Sequence, residues 1–166
     1  MATQIESSLA LIREYIAYNE FDLIWIKSPK NGIAVDAVVG SIGKDGYRTF
    51  KLKGKHYTNH KVIWQLVYGE IPYGYVVDHR DRNRSNNSRA NLRLATFSQN
   101  LQNSKGKGKY LKGARLNKKT GKWYASITED GRLKYLGSFN TELAAHKAYL
   151  AAAKILHGEF FNDCVS

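Results

Sequence analysis

At 166 residues the chain has room for one ordinary domain, or for two small ones with modest cores. A hydrophobic content of 43% excludes a disordered chain, and the excess of 26 Lys and Arg over 14 Asp and Glu, net +12, favours a polyanionic partner, nucleic acid first. No apolar run approaches spanning length and no signal peptide opens the chain, so no membrane association is expected. The single cysteine, Cys164, excludes an internal disulfide and a cysteine-based zinc knuckle, and points to a reducing cytoplasm.

In chain order, Leu9, Ile12, Tyr15 and Ile16 have helical spacing and predict a helix over 9–18. Short alternating runs at 23–26 and 47–52 predict strands, the second entered through the Asp45-Gly46 turn. Thr58 can cap a helix that carries Val62, Ile63, Leu66 and Val67 and stops at Gly69. Tyr75-Val76-Val77 reads as a strand running into Asp78-His79, and an Asn- and Arg-rich stretch follows over 80–91. A second strand is expected at 92–95. Thr96-Phe97-Ser98-Gln99 has the spacing of a capping box, starting a helix to about Asn103.

Residues 104–109, a run of Gly and Lys after Ser104, have nothing to bury and read as a linker. Beyond it, 113–116, 123–128 and 132–136 predict three strands joined by Thr120-Gly121 and Asp130-Gly131 turns. An alanine-rich helix over 141–156 then ends at Gly158, its small residues suited to a close approach to the sheet. The expected organisation is α+β: domain 1–103, linker 104–110 and domain 111–166. Net charge is +5 over 1–103 and +7 over 104–166.

The chemistry is expected in 78–100. His79 is followed by Asn91 twelve positions on and Asn100 nine further, with Asp78 directly before His79. Asp78 and Asn100 are hard oxygen donors suited to one Mg2+ or Mn2+, which would stabilise charge on a phosphate and a departing oxygen. His79 titrates near neutrality and suits a general base that deprotonates water. The arginines in and beside this stretch, Arg80, Arg82, Arg84 and Arg93, are expected on DNA phosphates. His56 is expected exposed on a strand, His60 in packing or on DNA, and His146 and His157 lack a carboxylate partner.

The segment Val76-Val77-Asp78-His79, Asn86-Asn87, Asn91-Leu92-Arg93 and Asn100 resembles the HNH homing endonucleases of phage genomes and introns. His60-Lys61-Val62-Ile63-Trp64 and Gly69-Glu70-Ile71-Pro72 are similar to that family as well. The resemblance implies a ββα-metal core over about 75–103, with His79 as base, Asp78 and Asn100 as ligands to magnesium or a similar ion, and Asn91 bracing the site. No cysteine pairs flank the motif, so no structural zinc is expected.

Residues 104–124 hold eight Lys or Arg and no acid, with Tyr110, Trp123, Tyr124 and Tyr135 nearby, a pattern suited to gripping a duplex. Lys112-Gly113-Ala114-Arg115, Gly121-Lys122-Trp123, 135–139 (Tyr-Leu-Gly-Ser-Phe) and 144–149 resemble the apetala-type ethylene-response-factor DNA-binding domain. That resemblance implies a three-stranded sheet packed on one helix, docking in the major groove of double-stranded DNA, with Arg115 a base or phosphate contact. Lys118, Lys119, Lys122, Arg132 and Tyr135 join it on the expected DNA-binding surface. With Trp123, Ala125 and Ile127 on the helix, alternation turns Tyr124 and Ser126 toward DNA. Trp123 and Tyr149 are expected in the core.

A site-directed, homing-type DNA endonuclease is therefore expected, a monomer with no protein partner. The alternative is a DNA-binding regulator with an inactive core. The presence of Asp78, His79, Asn91 and Asn100 together favours the enzyme.

Overall fold

The structure, a computed structural model, describes residues 4–103 and 109–161. Most of the expected linker (104–108) and Cys164 lie outside the described residues. Helices and strands are mixed in small antiparallel sheets, and the chain divides into two compact units, 1–97 and 98–166.

In the first unit α1 (Gln4–Tyr15) gives way at once to β1 (Ile16–Tyr18), which pairs with β2 (Leu23–Trp25). Helical periodicity predicts the helix to run three residues further. It stops at Tyr15 because the Asn19 side chain accepts from the backbone N–H groups of Phe21 and Asp22, closing a turn that returns the chain as a hairpin. A meander follows: β3 (Ser41–Ile42), β4 (Arg48–Leu52) and β5 (Lys55–Thr58). The β4–β5 turn, Lys53-Gly54, has two positive φ angles, the mirror-image turn whose twist suits a two-residue hairpin.

Helix α2 (Asn59–Tyr68) buries Val62 and Ile63 and ends at Gly69, φ 92°. Strands β6 (Tyr75–His79) and β7 (Leu92–Thr96) pair in full register from Tyr75↔Thr96 to His79↔Leu92. Val77 and Leu92 pin this hairpin to the core formed with Ile12, Leu23, Val39, Leu52 and Ile63. Helix α3 (Phe97–Asn103) continues directly from β7, and all but its first residue cluster with the second unit.

The second unit has β8 (Ala114–Leu116), β9 (Trp123–Glu129) and β10 (Arg132–Phe139) in the order β10-β9-β8. Helix α4 (Glu142–His157) is capped by Thr141, whose hydroxyl accepts from Ala144 N–H. Ala145, Tyr149 and Ala153, at helical spacing, lay it on Ala114, Ala125 and Ile127. Trp123 is only half-buried, edge-on to Tyr110.

Candidate active site

Strand alternation gives Asp78 and His79 separate surroundings. His79 shares a face with the core residue Val77, whereas Asp78 lies on the other face beside its cross-strand partner Arg93. Asp78 Oδ2 accepts from Arg93 Nε at 2.9 Å, with both residues buried. Arg93, expected on phosphate, is instead held inside as the counter-ion of Asp78.

His79 is 3% exposed. Its ring stands 5.0 Å from that of His60, edge to face, and 5.9 Å from that of Tyr47. Its Nε2 lies 3.2 Å from Asn87 Oδ1. Burial is the largest influence on the imidazole and lowers its pKa; Asn87, Asp78 and Asp81 pull it back, and Arg84 opposes them. His60 is pushed further, to about 3, by burial and then by His79 and Lys61. Both rings are therefore neutral at neutral pH, the state a general base requires.

The amide beside His79 belongs to Asn87, while Asn91 holds the preceding loop together. Asn91 Oδ1 accepts from Asp81 N–H at 3.0 Å, and its Nδ2 donates to Asp81 Oδ1 and Asn86 carbonyl at 2.9 and 2.7 Å. Asp81 also accepts from Asn83 N–H and Asn86 Nδ2. This closure brings Asn87, itself 1% exposed, back against His79. The spacing of single letters cannot separate these two asparagines; only the loop's path does. Tyr47 and His60 escape sequence reasoning as neighbours of His79 for the same reason.

Arg80 and Arg84 are exposed and Arg82 is half-buried. Arg84 stacks on Tyr47, its guanidinium 4.7 Å from the ring centroid, and donates to Asp45 carbonyl at 2.7 Å. Asn100 lies on α3, half-buried. Among the described residues no three His, Cys, Asp or Glu side chains cluster as a metal cage. Asp78 nonetheless fits a hard, mostly hydrated divalent ion, since such ions take one or two carboxylates and fill the rest with water and substrate phosphate.

In the second unit, register sorts the residues expected on DNA. Arg115, Tyr124 and Ser138 form one cross-strand row on the face away from α4, followed by Ser126 with Tyr135 and Thr128 with Leu133. Arg115, Leu133 and Tyr135 are exposed, whereas Ser126 is 7% exposed. Arg132 differs: the Asp130-Gly131 turn pairs it with Glu129, in phase with Ile127 and Lys134 on the opposite face from Tyr135. Lys118, Lys119 and Lys122 are exposed in the loop before β9, which Asn117 closes by accepting from Lys119 and Thr120 N–H. His146 Nδ1 meets Lys112 carbonyl at 2.7 Å, a backbone tie that accounts for its burial.

Residues 57–102 match the HNH endonuclease family. An HNH endonuclease of Acanthamoeba polyphaga mimivirus is 34% identical over 119 residues, covering 72% of this chain and 63% of its own. Protein 3.8 of Escherichia phage T7 is 31% identical over 117 residues, 68% of this chain and 95% of its own. The DNA endonuclease I-HmuI of Bacillus phage SP01 is 37% identical over 71 residues, 40% of this chain and 41% of its own. The chain thus spans less than two thirds of the mimivirus relative and of I-HmuI. No solved structure matches the chain.

Proposed function

We propose that the chain, whose residues 57–102 match the HNH endonuclease family, is a metal-dependent, site-directed endonuclease of homing type, hydrolysing phosphodiester bonds in duplex DNA. The observation that carries this reading is His79: a buried imidazole at a strand end, its ring held by Asn87, His60 and Tyr47, inside the matched segment.

In this mechanism His79 takes the proton from the attacking water. Its ring has one orientation because three neighbours pack or bond to it, so little freedom is lost at the moment of reaction. Asp78, with Asn100 as the second donor implied by the sequence resemblance, would hold one divalent ion, magnesium or manganese. A bound ion supplies charge stabilisation to the phosphate and the departing oxygen. Arg93 keeps the Asp78 carboxylate oriented by pairing with its Oδ2. Arg80, Arg82 and Arg84 lie on or next to the loop that carries Asn87, and we assign them to DNA phosphates.

For the second unit we assign an apetala-type DNA-binding role. The row of exposed Arg115 and half-buried Tyr124, next to exposed Tyr135 and Leu133, supports it: a cation for phosphate or a base edge, beside apolar and aromatic surface for sugars and bases.

The test is incubation with duplex DNA and magnesium, mapping the ends on each strand. His79→Ala is expected to lower the cleavage rate at least about 100-fold with DNA affinity kept, since a base acts on water while affinity comes from phosphate contacts. A His79→Ala protein that cuts at the wild-type rate at neutral pH overturns the assignment.

A further inference from the structure

The side chain behind Asn87 comes from far outside the matched segment. Asp22, at the end of the β1–β2 turn, is mostly buried, its side chain 14% exposed. Its carboxylate has four polar neighbours. Oδ1 accepts from its neighbour Leu23 N–H at 2.8 Å and from Asn59 Nδ2 at 2.9 Å. Oδ2 lies 3.1 Å from Arg48 Nε and accepts from Asn87 Nδ2 at 3.2 Å. Asn59 is fully buried and also donates to Val39 carbonyl, so the node ties the first hairpin, β4 and the start of α2 to one point.

We propose that Asp22 is a positioning residue for the cleavage reaction, fixing the Asn87 amide and through it the tautomer of His79. An ionised carboxylate only accepts, so Asp22 turns the NH2 of Asn87 toward itself. The Asn87 carbonyl oxygen then faces His79 Nε2, and only a protonated Nε2 can bond to it. A neutral imidazole with its hydrogen on Nε2 carries its lone pair on Nδ1. Asp22 thereby decides, through the Asn87 amide that bonds to both, which nitrogen of His79 acts as base. The inference rests on the reading of His79 as general base. Its structural half, the tautomer, stands or falls independently of cleavage.

The experiment is performed on the full chain. Nitrogen-15 long-range correlation spectra, with the His79 signals identified by their loss in His79→Ala, report the tautomer directly. Wild-type His79 is expected as the Nε2–H form. Asp22→Asn places a donor against the Asn87 amide, so it is expected to shift His79 toward Nδ1–H. With it, kcat falls on the order of 10- to 100-fold while KM and DNA affinity stay unchanged, as when the partner of a catalytic histidine is altered. Reversing the pair, Asp22→Asn with Asn87→Asp, puts the acceptor back beside Nε2 and is expected to recover the Nε2–H form. Wild-type His79 found as Nδ1–H overturns the proposal and needs no variant. A folded Asp22→Asn protein with wild-type tautomer and kcat overturns it equally. If instead the tautomer responds as expected but His79→Ala still cleaves, the relay stands and the base assignment falls.

Discussion

Asp78 and Arg93 form a pair in which neither charge is exposed, and such pairs are more sensitive to the loss of one member than surface pairs are. Arg93→Leu takes the partner from a buried carboxylate, and a loss of about 3–5 kcal/mol is expected in urea unfolding. A change within about 0.5 kcal/mol is the behaviour of a surface cation and would return Arg93 to the phosphate-binding set. His60 makes a prediction about pH. Its folded pKa of about 3 lies below the ordinary value of 6.5, so between those limits the unfolded chain binds a proton that the folded chain refuses. The contribution is complete above pH 6.5 and declines below it, on the order of 1 kcal/mol per pH unit. His79, lowered by its own burial, acts in the same direction. Unfolding midpoints should fall between pH 7 and pH 5.5, and less steeply in His60→Leu; equal slopes would remove His60 from this account.

At the scale of elements, the approach of α4 to its sheet is set by one glycine. Gly113 has φ 80°, and a Cβ there would stand 2.0 Å from Tyr149 Cγ and 2.2 Å from Cδ2, distances no side chain can accept. Strain in the left-handed region and overpacking add, so Gly113→Ala is expected to cost about 3 kcal/mol or more. Gly121 is the internal control: its φ is 69°, yet a Cβ would meet nothing within 4 Å, so Gly121→Ala should cost only about 1 kcal/mol. Thermal unfolding of the two proteins separates a close approach from a turn conformation. Equal losses would mean that Tyr149 moves aside freely. The Asn19 turn shows a similar local decision, since it ends a helix whose apolar spacing continues past Tyr15.

For the whole molecule the charge of +12 predicts a steep dependence of DNA affinity on salt. Lys118, Lys119 and Lys122 stand exposed on one loop of the second unit. Replacing all three by alanine should weaken binding to every sequence alike and lower the salt slope by up to about three, one for each phosphate left without its cation. Arg115→Ala should instead reduce the preference for target over scrambled duplex if that side chain reads a base. Binding isotherms over a salt series check both, and an unchanged slope in the triple variant would take this loop off the phosphates. Cleavage by the full chain is expected to need magnesium or manganese and to stop with a chelator.

The residues proposed to carry chemistry are legible because they are local. Asp78 and His79 are adjacent, Asn91 and Asn100 follow at set spacing, and hydrophobic alternation with Gly-containing turns outlined the hairpins around them. The cross-strand rows of the second sheet follow from the same local rule, once the two-residue Asp130-Gly131 turn is known to fix the register. What the chain could not disclose in one dimension is partnership over distance. Arg93 sits fifteen residues from Asp78, and whether it turns to phosphate or inward depends on hairpin register. Asn87 and Asn91 are the same residue type in one polar loop, and only that loop's closure around Asp81 decides which meets His79. Asp22 lies 65 residues from Asn87, in a turn with no apolar pattern to mark it. Periodicity reports which face of an element is buried; the tertiary packing alone decides which polar groups are shut in together, because each buried donor or acceptor must find a partner wherever the fold has brought one.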